Sequence, residues 1–121
     1  MCNATVIKDY DEWLEMCQYL HCSNYDGDKA IAYPNPSSGP PTVELDPDYI
    51  SICNVLSVTY KVYDLYDYLY GSEFSHDPTD NFSVKLDPLY FPVAGTYVIM
   101  CEVQKANSTL NETFSILFIR M

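Results

Sequence analysis

The chain is short of positive charge. Six lysines and arginines stand against seventeen aspartates and glutamates in 121 residues, a formal net charge of −11. Such a surface repels phosphate backbones and anionic headgroups, which argues against nucleic acid or an anionic membrane as a partner and is compatible with a basic protein or with cations. No CxxC pair occurs, and His21 and His76 do not sit at zinc-finger spacing, so the five cysteines point to disulfides rather than to a metal. No apolar run is long enough to span a bilayer, residues 114–119 being too short, so direct membrane insertion is not expected. Polar residues follow Met1 at once and no signal peptide is seen, which fits a mature or excised ectodomain. G-x-S-x-G, H-E-x-x-H and the phosphate-binding loop are all absent, so neither catalysis nor a cofactor is expected.

Tyrosine and sequons are abundant instead. Twelve tyrosines accompany one tryptophan. Asn3, Asn81, Asn107 and Asn111 each begin an N-x-[ST] triplet, four of seven asparagines, where chance placement gives about one. The reading is a glycoprotein of the secretory pathway, secreted or on the extracellular face of a membrane.

Hydrophobic periodicity is mostly that of strands. Residues 97–103 alternate Tyr97, Ile99, Cys101 and Val103 with Val98, Met100 and Glu102, a strand apolar enough on both faces to be central. Residues 81–86 alternate Phe82, Val84 and Leu86 with Ser83 and Lys85, and Asp87-Pro88 and Pro92 then stop regular pairing. Gly95 can take the positive φ that reverses the chain. The Ala94-Gly95-Thr96-Tyr97 turn followed by Cys101 resembles the E–F corner of immunoglobulin-like domains, and the Gly-Thr-Tyr turn is equally similar to that of PKD-type sandwiches. The resemblance covers about residues 42–121 and implies an antiparallel immunoglobulin-like β-sandwich.

The remaining chain is arranged around that corner. Residues 9–22 carry Trp13, Met16, Cys17 and Leu20 as one helical stripe, predicting a short N-terminal helix. Residues 23–41 form a long proline-rich connection that needs tethering or a task, with a brief strand at 31–33. The organisation expected is therefore residues 1–41 packed on a sandwich of residues 42–121, one domain overall. Residues 42–45 read as a short strand. Residues 49–63 read as a long alternating run with a bulge or bend near Asn54, where the resemblance places strands B and C. Residues 64–70 continue that run, 71–79 form a polar loop, and 112–121 form the last strand, with Leu117 and Ile119 facing away from Phe114, Ile116 and Phe118.

Cys2, Cys17, Cys22, Cys53 and Cys101 are the disulfide candidates. Cys53 and Cys101 would face each other across the sandwich, although Cys53 lies on the less apolar side of its run and needs a bulge or another partner. One further bond would tie the N-terminal segment to itself or to the sandwich. An odd thiol remains, available for a disulfide-linked dimer. The acid pairs Asp26/Asp28, Asp46/Asp48 and Asp77/Asp80 read as turn chemistry rather than calcium ligands. Tyr63, Tyr66, Tyr68 and Tyr70, interleaved with Asp64 and Asp67, are the candidate partner-binding residues, because tyrosine supplies rigid amphipathic contact area. The function expected is protein–protein recognition by a receptor ectodomain, adhesion or immune-modulatory protein whose partner is a protein ligand or receptor. A carrier of a small apolar ligand between the sheets, or a structural unit of a larger surface protein, are the alternatives.

Overall fold

A computed structural model describes Cys22, residues 25–106 and residues 108–121. The expected helix at 9–22, apart from Cys22, lies outside the described residues, as do Asn3, Asn107, Cys2 and Cys17. The protein is mainly β, with two antiparallel sheets in a sandwich-like arrangement, as expected. The smaller sheet contains β1 (Ala30–Tyr33), β2 (Thr42–Leu45) and β5 (Val84–Lys85) in the order β1-β2-β5. The larger contains β3 (Val55–Asp64), β4 (Leu69–Ser75), β6 (Gly95–Lys105) and β7 (Glu112–Arg120) in the order β4-β3-β6-β7. A single short helix among the described residues, α1 (Pro47–Cys53), joins β2 to β3. β1 pairs with β2 along its whole length, so the smaller sheet begins at Ala30.

The core follows from strand alternation. Tyr97, Ile99, Cys101 and Val103 of β6 are buried, and so are Val58, Tyr60 and Val62 of β3 and Val43 and Leu45 of β2. β6 is central, paired with β3 on one side and β7 on the other. Phe82, Leu86 and Phe91 come from irregular backbone and complete the packing. The buried Tyr60 hydroxyl escapes desolvation without a partner by donating to the Phe82 carbonyl at 2.8 Å. Removal from water pushes the pKa of Tyr60 far up, as expected for a neutral core phenol. At the corner, Gly95 has φ of 152°. Tyr97 Oη donates to the Val93 carbonyl at 2.7 Å and accepts from the Val93 N–H at 3.3 Å, which pins the turn to the start of β6.

Five local expectations are corrected. Residues 49–53 are helical: Pro47 occupies the first turn, Asp48 is the acid there, and Tyr49 and Cys53, four apart, are the buried pair. Asn54, with φ of 51°, ends the helix in the left-handed region, and β3 begins at the next residue. Residues 64–70 do not continue β3, because Asp64 Oδ1 accepts from the Tyr66 and Tyr68 N–H groups at 2.8 and 3.0 Å and turns the chain into β4. Residues 71–75, expected in a polar loop, are strand. The strand expected at 81–86 shrinks to β5, since Asn81 and Phe82 both have positive φ.

The fifth correction concerns sulfur. Cys53 bonds to Cys22, and Cys101 is a free, buried thiol. β2, the strand of the smaller sheet with buried positions toward the core, presents Val43 and Leu45 there and carries no cysteine. Cys53 sits on α1, where it meets Cys22 rather than β6. Burial pushes the Cys101 thiol up to about 12, so it stays protonated and packs as a small apolar group.

The proline-rich connection is tethered. Asn35 Nδ2 donates to the Leu117 carbonyl at 2.8 Å, and its Oδ1 accepts from the Ile119 N–H at 3.1 Å. Ser37 exchanges backbone bonds with Ile119 and Met121. The segment thus covers the end of the β7 edge, which would otherwise display unpaired peptide groups.

Candidate functional site

The four candidate tyrosines do not share one surface. Tyr63 stands on the outer face of β3, half-buried between Leu69 of β4 and Val98 of β6. Tyr66 is 92% exposed on the turn between β3 and β4, and Tyr68 is 62% exposed beside it. Tyr70 is half-buried, packed edge-on against Tyr68 at 4.8 Å and against Tyr97 at 5.7 Å. A register shift between Val62 and Tyr63 leaves Tyr70 without a partner on β3 and turns it toward the sandwich end. Tyr60, in the same tyrosine-rich run, is core.

Two features emerge from this arrangement. The first is a row across the outer face of the larger sheet: Leu69, Tyr63, Val98 and Leu117 are successive partners in the register. Met100 and Ile119 flank the row, and Leu117, Ile119 and Leu69 are 60, 48 and 46% exposed. The charges at outward positions of these four strands are Lys61 and Glu102, which pair diagonally at 2.8 Å. On a protein of net charge −11 this face is therefore neutral. Neither described sequon asparagine lies on it: Asn81 follows the short 3-10 turn Pro78–Asp80, and Asn111 is exposed between β6 and β7.

The sequence already held part of this signal. Val98 and Met100 make the second face of β6 apolar, and Leu117 and Ile119 do the same for β7. Assembly into a row depends on the pairing register, which no single strand encodes.

The second feature is a cleft of about 230 Å³ at the end of the larger sheet. Asp64, Leu65, Tyr66 and Tyr70 line one side, and residues 93–97 line the other. Hydrogen bonds from the Tyr68 and Tyr66 backbone and from the Tyr70 hydroxyl hold the Asp64 carboxyl below the ordinary aspartate range, against the opposing effect of partial burial. Nothing in the sequence brought residues 93–97 to the tyrosine-rich turn; the antiparallel pairing of Asp64 with Tyr97 does so.

The opposite end of the sheet is a satisfied polar cluster. Glu112 accepts from the Tyr49 hydroxyl and pairs with Lys29 at 3.3 Å and Lys105 at 3.9 Å. Lys29 lies over the Tyr49 and Phe114 rings, and Lys105 Nζ contacts Cys22 Sγ at 3.6 Å. Burial disfavours the charged form of Glu112, but the Tyr49 hydroxyl and the two ammonium groups outweigh it and hold the carboxyl below the usual glutamate range.

Three of the loop acids hold protein donors. Asp77 accepts from Thr79, Asp80 from the Ser83 N–H, and Asp46 from the Tyr25 hydroxyl. Among the described residues no group of three or more His, Cys, Asp or Glu side chains converges as a metal site, and no helix is long and apolar enough to cross a membrane. Comparison with known proteins finds no matching family, no matching curated protein and no matching solved structure.

Proposed function

We propose that the chain is a non-catalytic, immunoglobulin-like recognition module of a secreted or cell-surface glycoprotein, and that it binds a protein partner through the outer face of its larger sheet. The strand orders β1-β2-β5 and β4-β3-β6-β7 correspond to A-B-E and C′-C-F-G of that architecture, and the Tyr97–Val93 bond corresponds to its tyrosine corner. The disulfide and the four sequons support an oxidising compartment. One observation carries the functional reading: the Leu69–Tyr63–Val98–Leu117 row, contiguous across four strands, exposed at Leu69 and Leu117 and half-buried between them, uncharged and without a described glycan acceptor. Monomeric proteins rarely leave such apolar surface open unless something covers it.

Staining of cell surfaces with a multivalent, glycosylated form of the chain tests the reading. Leu117→Gln and Leu69→Gln together should reduce staining about tenfold or more, because truncating central apolar contacts removes most of an interface's affinity. Ile31→Ser on the smaller sheet, a comparably exposed site at 48%, should leave staining intact. Equal staining by both forms, or equal loss in both, would remove the outer face from the proposal.

A further inference from the structure

We infer that the cleft between the β3–β4 turn and the Val93–Tyr97 corner receives the guanidinium group of an arginine side chain carried by a basic protein partner. The inference deepens the recognition-module reading and rests on it.

The chemistry of the walls selects the ligand. One wall offers a carboxylate and two phenol rings, Asp64 with Tyr66 and Tyr70, and no lysine or arginine lines the cleft. Arg120, opposite Gly95 in the register, is not among the lining residues. A carboxylate accepts about four hydrogen bonds. Asp64 Oδ1 is occupied by two backbone N–H groups, while Oδ2 receives only the Tyr70 hydroxyl at 3.3 Å. Acceptor capacity therefore remains on the oxygen that Tyr70 reaches. A planar guanidinium can donate to that oxygen and stack on a neighbouring ring, and it sheds water more readily than an ammonium does.

Around Tyr70 and Asp64 the wall is also fixed before a ligand arrives. Tyr70 packs on Tyr97, Tyr97 on Phe91 at 5.0 Å, and Phe91 on Phe118 at 5.0 Å, a chain of edge contacts running from the cleft into the core. The Asp64 bonds fix the other side of the turn. Preorganisation of this kind removes the ordering cost that usually weakens a small site. A volume of about 230 Å³ accommodates one long side chain and not a peptide segment. The net charge of −11 favours approach of a basic partner.

The test uses the complete, disulfide-bonded chain, labelled with ¹⁵N and titrated with Nα-acetyl-arginine methylamide. Saturable amide shifts are expected at Tyr66, Ala94, Gly95 and Thr96, with a dissociation constant on the order of millimolar for a ligand of this size. Asp64→Asn keeps an oxygen for the Tyr66 and Tyr68 N–H groups and removes the charge, and should weaken the response about tenfold. Tyr66→Ala, at a position too exposed to affect folding, should weaken it about threefold. The lysine analogue should bind at least about fivefold more weakly. No saturable shift, an equal response to the lysine analogue, or an unchanged response in both variants overturns the inference. Loss of staining in the Leu69/Leu117 variant without any arginine response keeps the recognition module and rejects the cleft. An arginine response in a chain that stains no cell does the reverse.

Discussion

The two ends of the larger sheet are built from opposite materials. At the end where β3 begins and β7 starts, the strong groups Glu112, Lys29 and Lys105 are engaged with one another. The Cys22–Cys53 bond closes over α1, Glu112 gathers Tyr49, Lys29 and Lys105, and the lysines rest on aromatic rings. At the end where β3 turns into β4, Tyr66 and Tyr68 stand in water, and Asp64 commits one of its two carboxylate oxygens to shaping the turn. The chain has few cations, and among the described residues Lys29 and Lys105 are placed at the first end. Stabilising contacts are thus concentrated away from the tyrosine-rich turn, which leaves that turn's side chains available for contact with something else. The comparison makes a sharp statement: substitutions at the first end should act on stability, and substitutions at the second on recognition.

The largest effect should come from the disulfide. Cys22 and Cys53 are 31 residues apart, and removing such a cross-link costs about 3–4 kcal/mol in the loop-entropy picture. Cys22→Ala with Cys53→Ala should lower the melting temperature by about 10–20 °C at this chain length. A loss below about 1 kcal/mol would mean that the first end is held by packing alone and would blunt the comparison.

Glu112→Gln comes next. It keeps an acceptor for the Tyr49 hydroxyl and removes the charge that faces Lys29 and Lys105. The expected cost is about 1–2 kcal/mol, reduced from that of a fully buried pair because the side chain is 25% exposed. The pH dependence sharpens this. Glu112 is more acidic folded than unfolded, so its contribution is present above the unfolded value of about 4.3 and lost as pH falls through the folded value. Urea midpoints measured from pH 6 to pH 3 should therefore fall less steeply in Glu112→Gln than in the parent. Parallel curves would assign the acid sensitivity to other carboxylates.

What could be read from the sequence tracks how local each cause is. β6 and β7 were legible because Tyr97, Ile99, Cys101 and Phe118 repeat at period two through uninterrupted strands. Residues 49–53 misled because Ile50 and Ile52 alternate like a strand, while Tyr49 and Cys53 are equally the i and i+4 positions of a helix. The Asp46-Pro47-Asp48 start, with proline in the first turn and an acid beside it, was the competing signal. The turn after β3 contains neither glycine nor proline; an aspartate side chain and Asp67 in the left-handed region make it. The corner's resemblance drew Cys101 toward a cross-sheet partner, but the opposing strand carries Val43 and Leu45, and no local pattern names Cys22 as the partner of Cys53. The outer-face row and the cleft depend on register between distant segments, so only their separate apolar residues could be seen in advance.

Tyr97→Phe lies between the two classes, since Tyr97 belongs to the second end but faces the core. Removing its hydroxyl leaves the Val93 carbonyl without that donor and should cost about 1–2 kcal/mol in chemical denaturation. It should also loosen residues 93–97, and faster amide exchange at Ala94 and Thr96 than at Val103 would show the effect confined to the corner.

Tyr66→Ala with Tyr68→Ala should be the smallest in stability and the most telling. Both side chains are largely in water, so their removal exposes no cavity, and surface substitutions of this kind stay within about 0.5 kcal/mol. Tyr68 does touch Tyr70 edge-on, and an exposed aromatic pair of that sort contributes about 0.5 kcal/mol, which sets the upper end of the expected loss. An unchanged melting temperature together with weaker cell staining would place the tyrosine turn in the contact region beside the outer face. A melting temperature lowered by as much as that of Glu112→Gln would show instead that the turn holds the sheet end together, and the division between a stabilising end and a recognising end would collapse.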